Sequence, residues 1–157
     1  MVVKNECQAL CIAVEMERRA IRVYERALML ATDPDVRRGI NEILADERRH
    51  LQRFSEMRTC HGVDEAEERL LLSSMAAEVL FTGGVMEMKR EQALTTLQGL
   101  YQYAADSEAD AVRTYAEFAK KCSDPAVQAV FMDIVREESS HLVELRAKLH
   151  QMTGTES

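Results

Sequence analysis

The sequence predicts an all-α protein, a four-helix bundle with one long crossover that contains an additional helix. Two observations carry this prediction. The composition favours helix and is poor in turn formers, with two prolines and six glycines among 157 residues. The second half of the chain also repeats the first, so two similar helical hairpins are expected. The length indicates a single domain over residues 1–157.

The two prolines mark the turns of the predicted hairpins, because both follow an aspartate, in Asp33-Pro34 and Asp124-Pro125. An aspartate at the N-cap accepts a free backbone N–H, and proline at the first helical position lacks the N–H that would otherwise be unsatisfied. Each pair therefore ends one helix and begins the next. The predicted helices cover residues 5–31, 34–59, 65–81, 89–121 and 125–151. They form hairpins at 5–59 and 89–151, with a crossover at 60–88 and a frayed tail at 152–157.

The repeat has an offset of 91 residues and aligns residues 10–54 with 101–145 without a gap. Twelve aligned pairs are identical: Ala13/Ala104, Glu17/Glu108, Ala20/Ala111, Arg22/Arg113, Tyr24/Tyr115, Asp33/Asp124, Pro34/Pro125, Val36/Val127, Ile43/Ile134, Glu47/Glu138, His50/His141 and Leu51/Leu142. Duplication explains why the halves fold alike. The identities that are neither core nor cap residues require a further explanation.

Charge and composition exclude several classes of partner. The formal net charge is −7, which argues against nucleic acid or an anionic membrane surface. No apolar run approaches the length of a membrane span, and no secretory signal is present, so a cytoplasmic location is expected. The four cysteines contain no Cys-x-x-Cys, which excludes a rubredoxin-type or zinc-ribbon module in this chain.

Six repeated residues form the candidate metal site: Glu17, Glu47, His50, Glu108, Glu138 and His141. In each half, Glu-x-x-His places two side chains on one helical face, and the other glutamate lies 30 residues upstream, at the same height across the hairpin. Four carboxylates in an apolar core need cations, and mixed oxygen and nitrogen ligands suit iron or manganese. Glu47 and Glu138 are the expected bridging ligands. The alternative is that each Glu-x-x-His is an ordinary solvated helix face.

Tyr24 and Tyr115 follow Glu17 and Glu108 by seven residues, and so lie on the same helical faces. A phenol there either bonds a ligand carboxylate, transfers a proton or an electron, or only packs in the core.

These motifs resemble the rubrerythrin-like family of the ferritin-like di-iron carboxylate superfamily, over residues 5–59 and 89–151. The resemblance implies two iron ions per chain, with manganese or a mixed pair as alternatives. It also implies reaction with hydrogen peroxide or dioxygen and a homodimer. It also implies that Asp46 bonds His141 and Glu137 bonds His50, each the histidine of the opposite half, although a solvent-facing acid is an equal alternative for each. The rubredoxin-like domain of such proteins is missing, so electrons are expected from a separate donor such as a rubredoxin-like protein.

One departure from the family concerns an extra glutamate that rubrerythrins carry three residues after the ligand of the third helix. This chain has Ala111 there and Ala20 at the matching position of the first half. The iron-shuttling peroxidase mechanism is therefore in doubt, and the ligand set is nearer that of bacterioferritin. No fifth helix of the kind that helps build storage cages follows the fourth.

Three functions follow as hypotheses. The first is a non-haem di-iron redox protein, a peroxidase or oxidase. The second is a ferroxidase or iron-binding and storage protein without redox turnover. The third is a structural or regulatory bundle in which metal only stabilises the fold or senses iron.

The cysteines Cys7, Cys11, Cys60 and Cys122 do not follow the repeat, but the crossover topology brings them toward one end of the bundle. They form either a redox-active or metal-binding thiol cluster, helped by His61, or small buried apolar residues.

Overall fold

The computed structural model describes residues 3–61, 65–66, 68–74 and 94–154, except for the side chains of residues 59–61. Its long helices are α1 (Glu6–Leu30), α2 (Pro34–His61), α3 (Leu97–Lys120) and α4 (Pro125–Thr153). Residues 65–66 and 68–74 are also helical, and there is no β-strand in the described part of the chain. The predicted all-α fold is thus confirmed. The remainder of the predicted crossover helix lies outside the described residues.

The two hairpin turns have the cap chemistry that the sequence predicts. Asp33 accepts a hydrogen bond from the N–H of Asp35, and Asp124 accepts one from the N–H of Ala126, each at 2.8 Å. Helices α2 and α4 then begin at the two prolines. At both turns, a side chain of the following helix also donates a hydrogen bond to the end of the preceding helix.

Equivalent side chains cap the helices that end at these turns. Arg37 Nη1 donates to the carbonyl of Leu28 at 2.6 Å, and Gln128 Nε2 donates to the carbonyl of Ala119 at 3.2 Å. The donors, like the acceptors, are 91 residues apart. The repeat is therefore preserved as a local hydrogen-bonding pattern even where the residue type has changed.

The third helix begins later than predicted. The prediction starts it at residue 89, but residues 94–96 form a turn and α3 starts at Leu97. Thr96 is its N-cap, since the Thr96 hydroxyl accepts a hydrogen bond from the N–H of Gly99 at 3.1 Å. The N-cap at Thr96 therefore sets the start of α3, although the residues just before it have a helix-favouring composition.

Each hairpin packs most extensively within itself, α1 against α2 and α3 against α4. A carboxylate fastens the two hairpins at one end, because Glu6 at the start of α1 accepts hydrogen bonds from the backbone N–H groups of Ser123 and Asp124 at 3.1 and 2.9 Å. The start of α1 therefore lies beside the α3–α4 turn, as the crossover topology requires.

Ala104, Ala105 and Leu145 form a small apolar cluster, and a layer of polar side chains at mid-height lies between the two large parts of the apolar core. One part is built around the rings of Phe54, Tyr115, Phe118 and Phe131, whose neighbouring centroids lie 5.1–6.4 Å apart. The other contains Ile40, Leu44 and Leu100 and is packed toward the opposite end. Among the described helices, none is long and apolar enough to cross a membrane.

Candidate metal centre

The polar layer at mid-height consists of one glutamate from each of the four helices and an imidazole. Glu17 on α1, Glu47 on α2, Glu108 on α3 and Glu138 on α4 are all buried, with at most 9% of each residue exposed, and His50 is fully buried. Acidic residues are rarely buried without partners. On each helix, buried apolar residues come both before and after the glutamate, so the four carboxylates occupy core positions that apolar side chains normally take.

The structure brings the six candidate ligands together as two clusters. Each cluster offers three ligand atoms that lie within 4.8 Å of one another, and the clusters are Glu17/Glu47/His50 and Glu108/Glu138/His141. They adjoin, because His50 Nδ1 in the first lies 2.8 Å from Glu138 Oε1 in the second. This separation is short, but the contact lacks the alignment of a hydrogen bond, so Nδ1 is left without a hydrogen-bonding partner.

Several buried polar atoms of the clusters have no hydrogen-bond partner among the described residues: Glu17 Oε2, His50 Nδ1, Glu108 Oε2 and Glu138 Oε2. Leaving such atoms unsatisfied in a protein interior costs free energy, and a native structure with four of them at one place needs a reason. A cation bound between the carboxylates satisfies all four, since each is a lone-pair donor. The donor set therefore fits a pair of divalent metal ions, one for each cluster.

Burial and crowding change the acidity of these carboxyls. Burial, reinforced by the charges of Glu138 and Glu47, raises the pKa of Glu108 to about 9. Burial and the nearby Glu17 also raise the pKa of Glu47 well above its ordinary value. Burial raises the pKa of Glu17 only to about 6, because its contacts with Glu47 and the Tyr115 hydroxyl favour the ionised form. Without cations, the site is thus expected to retain protons that metal ions displace on binding.

A second set of acids lies behind the imidazoles and comes from the opposite hairpin. Glu137 Oε2 is 2.9 Å from His50 Nε2, and Asp46 Oδ2 is 3.6 Å from His141 Nε2. The first contact leaves Nδ1 of His50 facing the carboxylates. Burial disfavours the charged forms of both His50 and Glu137. Contacts with Glu138 and Glu137 nevertheless raise the pKa of His50 to about 9, and contacts with His50 and Arg49 lower that of Glu137.

The two histidines differ in exposure although their sequence positions are equivalent. The His50 side chain is fully buried, whereas 27% of the His141 side chain is exposed. His141 Nδ1 lies 3.7 Å from Glu108 Oε1, within reach of its own cluster. One half of the site is therefore tightly enclosed, and the other is more accessible to water.

The two repeated tyrosines also have different surroundings. The Tyr115 hydroxyl donates a 2.7 Å hydrogen bond to Glu17 Oε1, which ties α3 to α1 across the site. Tyr24 is buried and its ring packs edge-on against Tyr103, with centroids 5.8 Å apart. Burial raises the pKa of both phenols well above the ordinary value, so both remain protonated donors.

A cavity of about 360 Å³ opens between α1 and α3 and reaches the carboxylates. Ala20 and Ala111, the two repeated alanines, are part of its wall, and their small side chains leave it open. The remaining lining residues are Met16, Glu17, Arg19, Val23, Tyr24, Glu47, Tyr103, Ser107, Glu108, Asp110, Tyr115 and Glu138. The cavity supplies a route by which a small molecule reaches the ligand oxygens.

The structure does not join the described thiols into a cluster of metal-ligand atoms. Cys7, Cys11 and Cys122 are free, and neither of the two candidate metal clusters includes a described cysteine. Burial raises the pKa of Cys11 and of Cys122 to about 11, which makes both poor nucleophiles. The side chains of Cys60 and His61 lie outside the described residues.

Arg49 is a residue near this site that the sequence reasoning missed. Its guanidinium contacts both Asp46 and Glu137, the acids behind the two imidazoles. The spacing of three residues between Asp46 and Arg49 on one helix was an available signal. Glu137 lies on the other hairpin, so no spacing in the sequence around Arg49 indicates that contact.

Comparisons with known proteins extend the fold assignment. No family model matches the sequence, and no curated protein matches it. A solved structure does: a two-domain protein from Anabaena variabilis ATCC 29413 that contains DJ-1/ThiJ/PfpI-like and ferritin-like domains. The sequences are 17% identical, the TM-score is 0.66, and the match covers 96% of this chain and 40% of the other. The chain thus has a ferritin-like fold and spans less than half the length of this two-domain protein.

Proposed function

We propose that the protein is a non-haem di-iron redox protein that reacts with hydrogen peroxide or dioxygen. The observation that carries the proposal is the pair of adjoining, buried Glu–Glu–His clusters with unsatisfied ligand atoms. A structural role alone does not account for them, because four buried carboxylates destabilise a bundle unless something compensates their charge. The ferritin-like fold is compatible with the proposal, since such bundles build di-metal sites from this ligand pattern.

The six residues divide naturally between two ions. Glu17 and His50 would hold one, Glu108 and His141 the other, and Glu47 and Glu138 would lie between them. When bound, two iron ions supply Lewis acidity and electrons for reduction of an oxidant. Oxygen-rich ligation with one imidazole per ion suits iron or manganese better than it suits soft metals.

The surrounding residues position these ligands. The hydrogen bond from Tyr115 fixes the Glu17 carboxylate, and the Glu137 contact orients His50 with Nδ1 toward the carboxylates. Acids behind metal-binding imidazoles set the ring orientation and increase the ligand's basicity. The cavity of about 360 Å³ lined by Ala20 and Ala111 gives a small oxidant access to these carboxylates.

A second candidate function, ferroxidase or iron binding without redox turnover, is favoured by the same two alanines. Both line the cavity at positions where neither supplies a ligand oxygen. Positions 20 and 111 thus supply no further carboxylate for an ion to move toward. Oxidation of incoming Fe(II) needs only the six-residue set, whereas iron-shuttling peroxidase turnover needs more.

Several partners remain part of the proposal: a separate electron donor such as a rubredoxin-like protein, and a second copy of the chain in a homodimer. The peroxidase hypothesis requires the donor, because repeated reduction of peroxide consumes electrons that the chain's own residues do not replace. The ferroxidase hypothesis does not require it, since Fe(II) itself is the reductant.

Metal analysis of anaerobically prepared protein, followed by stopped-flow mixing with H₂O₂ and with O₂, tests the proposal. We expect two iron ions per chain, rapid oxidation, and loss of both properties in Glu138→Gln but not in the exposed control Glu42→Gln. Catalytic loss of peroxide with an added reductant selects the redox protein, and iron uptake beyond two per chain selects the ferroxidase. Absence of stoichiometric iron or manganese refutes both.

A further inference from the structure

The two halves of the candidate centre are connected outside the ligand layer by one guanidinium. Arg49 Nη2 lies 2.9 Å from Glu137 Oε2, and Arg49 Nη1 lies 3.1 Å from Asp46 Oδ1. Glu137 Oε2 is the same oxygen that contacts His50 Nε2 at 2.9 Å, and the other oxygen of Asp46 faces His141. A continuous series of polar contacts thus runs from His50 through Glu137, Arg49 and Asp46 to His141.

This connection is not a product of the repeat. The position equivalent to Arg49 is Ser140, so the second half supplies no matching guanidinium. Arg48, the adjacent residue, points elsewhere and pairs with Glu25 on α1 at 3.1 Å. Arg49 therefore lies between two acids that come from different hairpins, and the second half has no equivalent cation at the repeated position.

We infer that Arg49 is a positioning residue that couples the two imidazoles of the metal centre, so that its loss weakens metal binding at both clusters. The inference rests on the proposed function, because it assigns Arg49 a role toward bound metal ions. The Arg49 side chain is half exposed, and its ion pairs are with Asp46 and Glu137 rather than with a candidate ligand. It acts only through the two acids.

The chemistry of arginine explains why one residue can serve both acids. The planar guanidinium presents several N–H donors in fixed directions, so that Nη1 and Nη2 bond two carboxylates at once. Each carboxylate is thereby held in place behind an imidazole. An ammonium at this position is a single point charge and holds two separated acids less well.

The contact geometry also ranks the two clusters. Glu137 lies within hydrogen-bonding distance of both Arg49 and His50, whereas Asp46 is 3.6 Å from His141. The contacts behind His50 are consequently shorter than the contact behind His141. Removal of the guanidinium frees Glu137 and Asp46 together, which is why both clusters respond.

Anaerobic titration of the metal-free full chain with cobalt(II) tests the inference, with the ligand-field absorbance and the dissociation constants as readouts. We expect two ions per wild-type chain and about tenfold weaker binding at both sites in Arg49→Ala, with an altered spectrum. Arg48→Ala is the matched control and should bind as wild type does. Arg49→Lys should recover part of the affinity.

The outcomes separate this inference from the proposed function. If the wild type binds no cobalt, both are overturned. If the wild type binds two ions and Arg49→Ala binds them with unchanged affinity and spectrum, only the role of Arg49 is overturned. The midpoint of urea unfolding of the metal-free variants should be alike for Arg48→Ala and Arg49→Ala. Should Arg49→Ala fail to fold, Arg49→Lys carries the same comparison, and unchanged affinity and spectrum in that variant overturn the role of Arg49.

Discussion

Replacing Glu47 by glutamine distinguishes a carboxylate that exists to bind metal from one that holds the bundle together. Burial and the neighbouring Glu17 raise the pKa of Glu47, which favours its protonated form in the metal-free protein. Glutamine closely matches a protonated glutamate in shape and remains neutral. We therefore expect Glu47→Gln to change the free energy of unfolding of the metal-free protein by less than about 1 kcal/mol.

The metal-loaded protein should respond quite differently. A ligand that binds only the folded state stabilises it by about 2.7 kcal/mol when its free concentration is one hundred times the dissociation constant. Two such sites give about 5.4 kcal/mol, and disabling at least one of them leaves about 2.7 kcal/mol or less. For a chain of this size, a difference of about 2.7 kcal/mol corresponds to a change of about 5–11 °C in Tm.

Differential scanning calorimetry of wild type and variant, each with chelator and with anaerobic Fe(II), provides the assay. Glu42→Gln on the exposed face of α2 is the control and should retain the full metal-dependent gain. The reasoning is refuted if Glu47→Gln keeps that gain. It is also refuted if the variant loses several kcal/mol of stability in the metal-free state, since the carboxylate would then be a structural element.

Three further predictions follow from the site. The metal-free protein should lose stability as the pH rises from about 5 to about 9. Folding raises the pKa of both Glu108 and His50 to about 9, so the folded state holds protons there that the unfolded chain releases earlier. Urea unfolding across this range measures the slope, and a flat or rising profile contradicts it. Tyr115→Phe, which removes the 2.7 Å hydrogen bond to Glu17 but retains the ring, should cost about 1–3 kcal/mol in urea unfolding; an unchanged midpoint argues that the phenol only packs. Ala111→Leu should narrow the cavity, leaving iron stoichiometry at two while slowing oxidation by a bulky alkyl hydroperoxide more than by O₂. Equal slowing for both oxidants in stopped-flow measurements means that the cavity is not the route of entry.

Much of the fold was predictable because its signals are local. The Asp-Pro pairs set the starts of α2 and α4 through capping, which involves only residues close in sequence. The start of α3 was wrong by eight residues, since Thr96 is a weaker signal than Asp-Pro and the residues before it have helix-favouring composition.

The six candidate ligands were also predictable, since helical rise converts sequence spacing into height. Glu17 and Glu47 lie at the same level because they are equally distant from the turn, and Glu-x-x-His brings His50 to the same face. Their convergence in two clusters agrees with this arithmetic. Their roles as metal ligands and the identity of the metal stay predictions.

The sequence by itself determined that the two halves carry the same candidate ligands at the same heights, and on that basis alone the halves are equivalent. Only the tertiary structure decided that they differ. It encloses His50 fully but exposes part of His141, and it places Arg49 against acids of both hairpins. The physical reason is that spacing along a helix fixes height and face, whereas burial and long-range contacts depend on which neighbouring helix packs there. Repeated sequences lose their symmetry where diverged residues such as Arg49 and Ser140 meet different neighbours.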